Sequence, residues 1–557
     1  MVRFLPATLL RSRLALTTAG GLLLAGTPSA QLAIYAVDGP GPDQAFGNSI
    51  AKLPDVNADG VPDLLVGAFT KNDSRGAACV LSGKTGVTLQ SWNGTEEFEY
   101  LGQCVAAIGD IDKDGVNDVA IGAPYFDVGP ASVAGRVLVC SAKTGTLLRT
   151  HLGPPSSANF GAAIAGLGDL DNDGTNDYAI GSPFLNVDGA YDQGQVTLFS
   201  GKTGAALLAL NGPATQHGKF GTHIVNAGDV NGDGKADLAI TSPEWVSAGG
   251  LHTGRVEVRS GANLNVTLFA AEGQLDGEKL GFALAAAGDV NHDGLADIIA
   301  ATWFDNDDAG VARVFLGPSG AASWVFHGDA AFDHFGCSVD GAGDVDKDGW
   351  ADLVVGAYRA AFQVMNQPGY ARVFSGRTGQ ALVTLTGTQA TDEFGYAVCG
   401  AGDLNGDGWA DVAVGSVSWD GINGTASGRV TTIEVLKHAT NLGFGGPGSS
   451  QLSMYGSALD DFGQMDLALS GAKPGAPAWL IASAGTSFTA FKGGVIVPDI
   501  GIGAIIGLTT NGSGKVTIPG ILGGFGPVSI ALQYVIKDAA QPFGYAMSNA
   551  VSANFLP

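Results

Sequence analysis

Basic residues are scarce in this 557-residue chain, with 28 Lys and Arg against 53 Asp and Glu and a formal net charge of −25. Gripping a nucleic-acid backbone needs a basic face, so that class of partner is excluded. Cysteine is scarcer still. Cys79, Cys104, Cys140, Cys337 and Cys399 are odd in number and widely scattered, without CxxC or Cys/His spacing. They are too few and too scattered for a disulfide framework in a chain of this size, where at most two bridges could form, and each thiol is expected to be a small buried hydrophobe. Long apolar runs are missing too. The segment Leu14 to Ala25 follows Arg3, Arg11 and Arg13 and precedes Thr27-Pro28-Ser29-Ala30. It is shorter than the roughly 20 residues of a membrane span and reads as the core of a secretory signal, residues 1–30. The mature chain is expected to be secreted or held at the cell surface, with no transmembrane segment.

Glycine, by contrast, is abundant at 87 residues, without a collagen-like period of three. Many tight turns and close backbone contacts follow, and an all-β fold is expected.

Seven acidic segments recur along the chain. They begin at Asp55, Asp110, Asp169, Asp229, Asp289, Asp344 and Asp403, with spacings of 55, 59, 60, 60, 55 and 59 residues. Eight residues before each first aspartate stands a glycine, in Phe46-Gly47, Leu101-Gly102, Phe160-Gly161, Phe220-Gly221, Leu280-Gly281, Phe335-Gly336 and Phe394-Gly395. Twelve residues after it come Gly67-Ala68-Phe69, Gly122-Ala123-Pro124, Gly181-Ser182-Pro183, Thr241-Ser242-Pro243, Ala301-Thr302-Trp303, Gly356-Ala357-Tyr358 and Gly415-Ser416-Val417. A repeat with three motifs at fixed offsets decides the architecture.

This pattern resembles the FG-GAP repeat, the unit of the integrin α-subunit head and of related extracellular β-propellers. The resemblance covers roughly residues 32 to 436. The fifth copy departs most at its flanking motifs and keeps its acidic loop. Read independently, each unit holds four short strand patterns, as in 162–168, 178–181, 194–200 and 206–210, with the turn Gly201-Lys202-Thr203-Gly204 between the last two. Four strands in seven units make a seven-bladed propeller over residues 31–437. The seventh unit is one strand short, ending with Gly428 to Leu436, while Leu32 to Val37 stands orphaned before the first unit. That N-terminal run is expected to supply the missing outer strand and lock the ring.

Each nine-residue loop places oxygen side chains at positions 1, 3, 5 and 9 and glycine at position 6. This is a ligand pattern for Ca²⁺, with a backbone carbonyl added at position 7. The expected ligands in the first loop are Asp55, Asn57, Asp59, Val61 and Asp63. In the second they are Asp110, Asp112, Asp114, Val116 and Asp118, and in the third Asp169, Asp171, Asp173, Thr175 and Asp177. The fourth offers Asp229, Asn231, Asp233, Lys235 and Asp237, and the fifth Asp289, Asn291, Asp293, Leu295 and Asp297. Asp344, Asp346, Asp348, Trp350 and Asp352 form the sixth set, and Asp403, Asn405, Asp407, Trp409 and Asp411 the seventh. The loops hold 24 of the chain's 53 acidic residues, nearly equal to its net charge of −25. About seven structural Ca²⁺ ions are expected, since so many crowded carboxylates would otherwise repel one another.

Strand direction puts the acidic loops and the Lys-Thr-Gly turns on one face and the longer loops between second and third strands on the other. The integrin-type resemblance implies partner contacts on that second face. Tyr125, Phe184, Tyr191, Trp245, Trp303, Tyr358 and Trp419 are its candidate contacts for an extracellular protein or glycan. No His-Glu-x-x-His, Gly-x-Ser-x-Gly or phosphate-loop motif is present, so no catalytic residue is assigned.

Residues 438–557 change character, with few charges and strand patterns at 465–470, 478–483, 502–508, 515–518 and 528–536. A β-sandwich is expected. Pro474-Gly475-Ala476 and Ser548-Asn549-Ala550 are similar to features of a C-terminal module that follows repeat domains in secreted bacterial proteins. The leading functional expectation is a calcium-stabilised binding or cell-adhesion scaffold. An extracellular hydrolase or lyase acting on polysaccharide or phosphoester, and a structural envelope or matrix protein, are the alternatives.

Overall fold

The computed structural model describes residues 33–435, apart from 128–132, 155–157, 214–216, 306 and 360–366, and the strands between 439 and 555. The signal segment 1–30, the domain boundary near 437 and the triplets 474–476 and 548–550 lie outside the described residues.

Seven antiparallel four-stranded sheets follow one another, the blades of a propeller. Blade 1 consists of Phe46–Leu53, Asp63–Ala68, Ala77–Leu81 and Thr88–Asn93, from the inner strand to the outer. Blades 2 to 6 repeat this order. The second strand is buried at every residue in all seven blades. Its two faces meet the two neighbouring blades, which is why it reads as a continuous apolar run instead of an alternating one. The core lies between blades: Leu53, Leu65, Val80 and Trp92 of blade 1 pack with Leu101, Val105, Val119 and Ile121 of blade 2.

The repeated glycines meet across the blade boundaries. A Cβ on Gly67 would lie 2.0 Å from the Gly102 carbonyl oxygen, and one on Gly122 would lie 2.1 Å from that of Gly161. The glycine of one blade's Gly-Ala/Ser motif therefore receives the backbone of the next blade's Phe-Gly motif. Only a residue without a side chain permits this approach. Outer strands add a second link. Trp92 Nε1 donates to the Gly145 carbonyl at 2.9 Å, and Trp324 Nε1 to that of Gly376 at 2.8 Å, each in the following blade.

Blade 7 is completed from the N-terminus. Ala33–Asp38 pairs antiparallel with Arg429–Glu434, with Val37 opposite Val430. The same closure recurs in the motifs, since a Cβ on Gly415 would lie 2.1 Å from the Gly47 carbonyl. The ring is locked by its first and last strands, as the strand count implied.

Inner strands from all seven blades enclose an axial channel of about 760 Å³. Four residues after the motif glycine stand Ala51, Ala106, Ala165, Val225, Ala285 and Cys399, while the sixth blade has Asp340. Asp340 accepts the N–H groups of Gly341 at 3.0 Å and Gly400 at 2.9 Å. Burial pushes its carboxyl up to about 6, against the lowering effects of those donors, the Cys399 thiol and the charge of Lys52. A folded value above the unfolded one means that stability is greatest when Asp340 is protonated and falls as pH rises from about 4 to about 6, by roughly 3 kcal/mol. Asp340→Asn abolishes that loss, although its amide hydrogens face a backbone donor at a pH-independent cost. The difference in unfolding midpoint between variant and parent should therefore move in the variant's favour between pH 4 and pH 7. Parallel midpoints across that range would contradict the assignment.

The strands from Ala439–Asn441 to Val551–Phe555 fall into three sheets. One contains Pro477–Ser483 between Gly503–Thr509 and Val528–Lys537. A second runs Gln451–Gly456, Gln464–Ser470, Val516–Leu522, and Thr486–Phe491 pairs with Gly494–Pro498. This part is all-β, with a strand at each expected pattern. Among the described residues no helix is long and apolar enough to cross a membrane.

Candidate metal loops and the opposite face

All seven acidic loops fold the same way around their own carboxylates. The position 1 aspartate accepts the N–H of position 5 on one oxygen and that of the position 6 glycine on the other, as Asp110 does from Asp114 at 3.1 Å and Gly115 at 2.9 Å. Position 3 also accepts from position 5, and position 5 accepts from position 7. The position 6 glycines have φ between +82° and +92°, left-handed backbone in which a side chain would be strained. Position 4 is left-handed too, at Ala58, Lys113, Asn172, His292 and Lys347 as well as at Gly232 and Gly406. These bonds curl each loop and turn its acidic side chains inward.

The position 9 aspartates are buried, with exposures of 0 to 1%. One oxygen accepts the N–H of position 2, as Asp63 does from Val56 at 2.7 Å. In five blades the other oxygen accepts an N–H from the turn between the third and outer strands, contributed by Gly83, Gly201, Gly261, Gly317 or Gly376 at 2.8 to 3.0 Å. The turn serine approaches the position 5 carboxylate in blades 1 to 4, at 3.4 to 3.5 Å. Lys84 and Lys202 each donate to the position 5 carbonyl at 3.3 Å. The Lys-Thr-Gly turn thus braces the acidic loop, a duty that sequence spacing alone does not reveal.

Carboxylate oxygens of Asp110, Asp112 and Asp118 lie within 4.8 Å of one another, as do those of Asp169, Asp171 and Asp177, and of Asp344, Asp346 and Asp348. These are the three loops with aspartate at position 3. Burial, then the neighbouring carboxylates, drive Asp352 up to about 8 and Asp346 to about 6. Burial is also the leading cause at Asp118 and Asp411, both near 7, and at Asp297, near 6. Asp63, Asp177 and Asp237 are raised for the same reason. A carboxylate set that resists ionisation, with carbonyls beside it, fits a hard divalent cation.

On the opposite face the seven aromatic candidates divide. Tyr125 and Phe184 line a pocket of about 340 Å³ at the channel mouth, with Phe69, Phe282, Tyr396, Gln103, Asn159 and Lys219. Trp303 and Tyr358 line the channel itself, and the His334 ring lies between them, 4.7 Å from each. Trp245 is held by Glu272 at 3.0 Å and lies under Arg255, while Trp419 lies under Arg429. These two are braced against their own blades. Tyr191 stands apart, 61% exposed.

One further periodic group escapes a search for exposed acids. Glu99, Glu278, Asp333 and Asp392, each two residues before the motif Leu or Phe, are at most 1% exposed. Glu99 pairs with Arg136 at 2.6 Å, Glu278 with Arg313, and Asp333 with Arg359 at 2.9 Å. These three pin the entries of blades 2, 5 and 6 to an arginine on the same blade, while Asp392 accepts the N–H groups of Gln389 and Phe394 in blade 7. Their only trace in the sequence is the recurring offset from the Leu or Phe. All five cysteines are free, Cys140 and Cys399 buried and the others partly so.

Seven four-stranded blades, glycine motifs joined across five of the seven boundaries and an acidic loop after each inner strand define a repeat propeller of the FG-GAP type. The FG-GAP repeat model matches residues 105–140 and 220–256, and an FG-GAP-like repeat model matches 344–414. The chain thus carries FG-GAP repeats and is similar to integrin-α-type β-propellers. Similar proteins include integrin alpha-5 of Xenopus laevis, 32% identical over 239 residues, which are 40% of this chain and 22% of that protein. Integrin alpha-V of Gallus gallus is 31% identical over 249 residues, 42% of this chain and 24% of the relative. Integrin alpha-3 of Cricetulus griseus is 30% identical over 196 residues, 32% and 18% respectively. The matches thus span less than a quarter of each relative.

Proposed function

We propose that the mature chain is a secreted binding or adhesion scaffold whose propeller carries structural Ca²⁺ on one face and receives an extracellular protein or glycan on the other. The observation that supports this most is the separation of chemistries. Seven acidic loops of one geometry share one face, and an aromatic-lined pocket with amide side chains in its wall opens on the other. In blade 2 the ion would be held by Asp110, Asp112, Asp114, the Val116 carbonyl and Asp118, with the matching residues in each other blade. The bound charge would neutralise the carboxylates, while the glycine turns and Ser-Gly-Lys turns hold them in place. The C-terminal residues 438–557 serve packing, assembly or surface retention in this reading.

Screening the full mature chain against immobilised extracellular proteins and glycans, in calcium and in chelator, tests the scaffold. Saturable calcium-dependent binding without turnover is expected. Tyr125→Ala combined with Tyr191→Ala should weaken it about tenfold and leave the unfolding midpoint within a few degrees, because both rings are exposed. Turnover of a polysaccharide or phosphoester would favour an enzyme, and self-assembly alone a structural protein.

A further inference from the structure

The seven loops are not equivalent. In two of them a buried oxygen of the closing aspartate, Oδ1 of Asp118 in blade 2 and Oδ1 of Asp411 in blade 7, has no hydrogen-bond partner. The corresponding oxygen in the other five blades is occupied by the turn glycine. We infer that blades 2 and 7 form a tighter class of calcium site than the other five, because their closing aspartates keep an oxygen free for the ion. The inference rests on the calcium reading above.

The cause in blade 2 is one methyl group. The turn glycine of the other blades sits hard against a backbone carbonyl. A Cβ on Gly83 would lie 1.7 Å from Pro62 O, on Gly201 1.7 Å from Asn176 O, on Gly376 1.8 Å from Ala351 O, and on Gly261 1.9 Å from Ala236 O. Blade 2 has Ala142 at this place, between Ser141 and Lys143. A real Cβ cannot approach that closely, and the turn N–H does not reach Asp118 Oδ1. Blade 7 reaches the same result differently. Its outer strand comes from the N-terminus and not from a hairpin with its third strand, and Asp411 Oδ1 has no donor.

A buried carboxylate oxygen without a donor is costly to the metal-free chain and is relieved when a cation supplies the missing contact. In blade 2 Asp118 belongs to a set of three aspartates with carboxylate oxygens already within 4.8 Å of one another. The turn lysine does not discriminate between the classes, because Lys84 and Lys202 occupy the equivalent place in blades 1 and 3.

Dialysis of the full mature chain against buffers of graded free calcium, with bound ions counted by elemental analysis, tests the inference. Two ions should remain at a free concentration about tenfold below that which fills the other five. Ala142→Gly, which lets the turn close on Asp118, should lower the retained number from two to one, with the overall fold checked by circular dichroism. Asp118→Asn should release the same ion. Filling of all sites as a single class, or retention of two ions by Ala142→Gly, would overturn the inference and leave calcium binding standing. No bound ion even at millimolar free calcium would overturn the calcium reading and the inference with it.

Discussion

Removal of calcium by excess chelator is expected to lower the unfolding midpoint of the full chain by about 10 °C. Ions that bind only the folded state stabilise it by RT ln(1 + [L]/Kd) per site. With affinity on the order of 10⁻⁴ M and about 1 mM free calcium, as for extracellular modules, that is about 1.4 kcal/mol per loop and about 10 kcal/mol for seven. Spread over a ring of about 400 residues with an unfolding entropy of about 2 cal/mol/K per residue, this corresponds to a shift of about 10 °C. The physical source is the loop interior. Burial raises the carboxyls of Asp118, Asp352 and Asp411, and neighbouring aspartates add to it, so the metal-free loops meet neutral pH with carboxylates whose ionisation opposes folding. Scanning calorimetry in calcium, in chelator and after calcium is restored measures the effect. A midpoint that moves by less than 2 °C would contradict a structural role for the ion.

The blade count, the order of strands and the closure were legible because each rests on a residue type that its place demands. Gly67 and Gly122 recur because neighbouring backbone lies about 2 Å from where a Cβ would be. Gly60 and Gly115 recur because the loop turns through left-handed φ. Such requirements recur with the repeat and survive translation into spacing. Contacts that join different parts of a blade did not show. The Gly83 N–H that satisfies Asp63 comes from 20 residues along the chain, and glycine in a turn already has a local explanation. Glu99 and Arg136 are 37 positions apart in sequence and meet in a buried pair, although glutamate and arginine ordinarily read as surface residues. The aromatic candidates show the same limit from the other side. Strand direction places Trp245 and Trp419 on the correct face, but only the packing shows that arginines of their own blades cover them.

Deletion of Leu32 to Val37 should be as damaging as loss of calcium, lowering the midpoint by about 10 °C or more. The deleted strand closes the ring through several contacts at once. Ile34 and Val37 pack on a core that includes Leu64, Val66, Leu81 and Val430. Tyr35 exchanges hydrogen bonds with Thr432, its amide donating at 3.2 Å and its carbonyl accepting at 3.1 Å, and its hydroxyl donates to the Ser82 carbonyl of blade 1 at 3.3 Å. Asp38 anchors Arg429 at 2.5 Å. Without the strand, Arg429–Glu434 becomes an open edge with unpaired N–H and C=O groups, so the variant should also associate into larger species. Light scattering after size exclusion, alongside calorimetry, checks both consequences, and an unchanged midpoint would refute closure by the N-terminus. Adding a synthetic peptide of the sequence LAIYAV separates this cause from a general effect of truncation. An empty blade edge can take back its strand in trans, so saturating peptide should restore a large part of the lost midpoint, whereas a scrambled peptide of the same composition lacks the register that places Val37 opposite Val430 and should restore little.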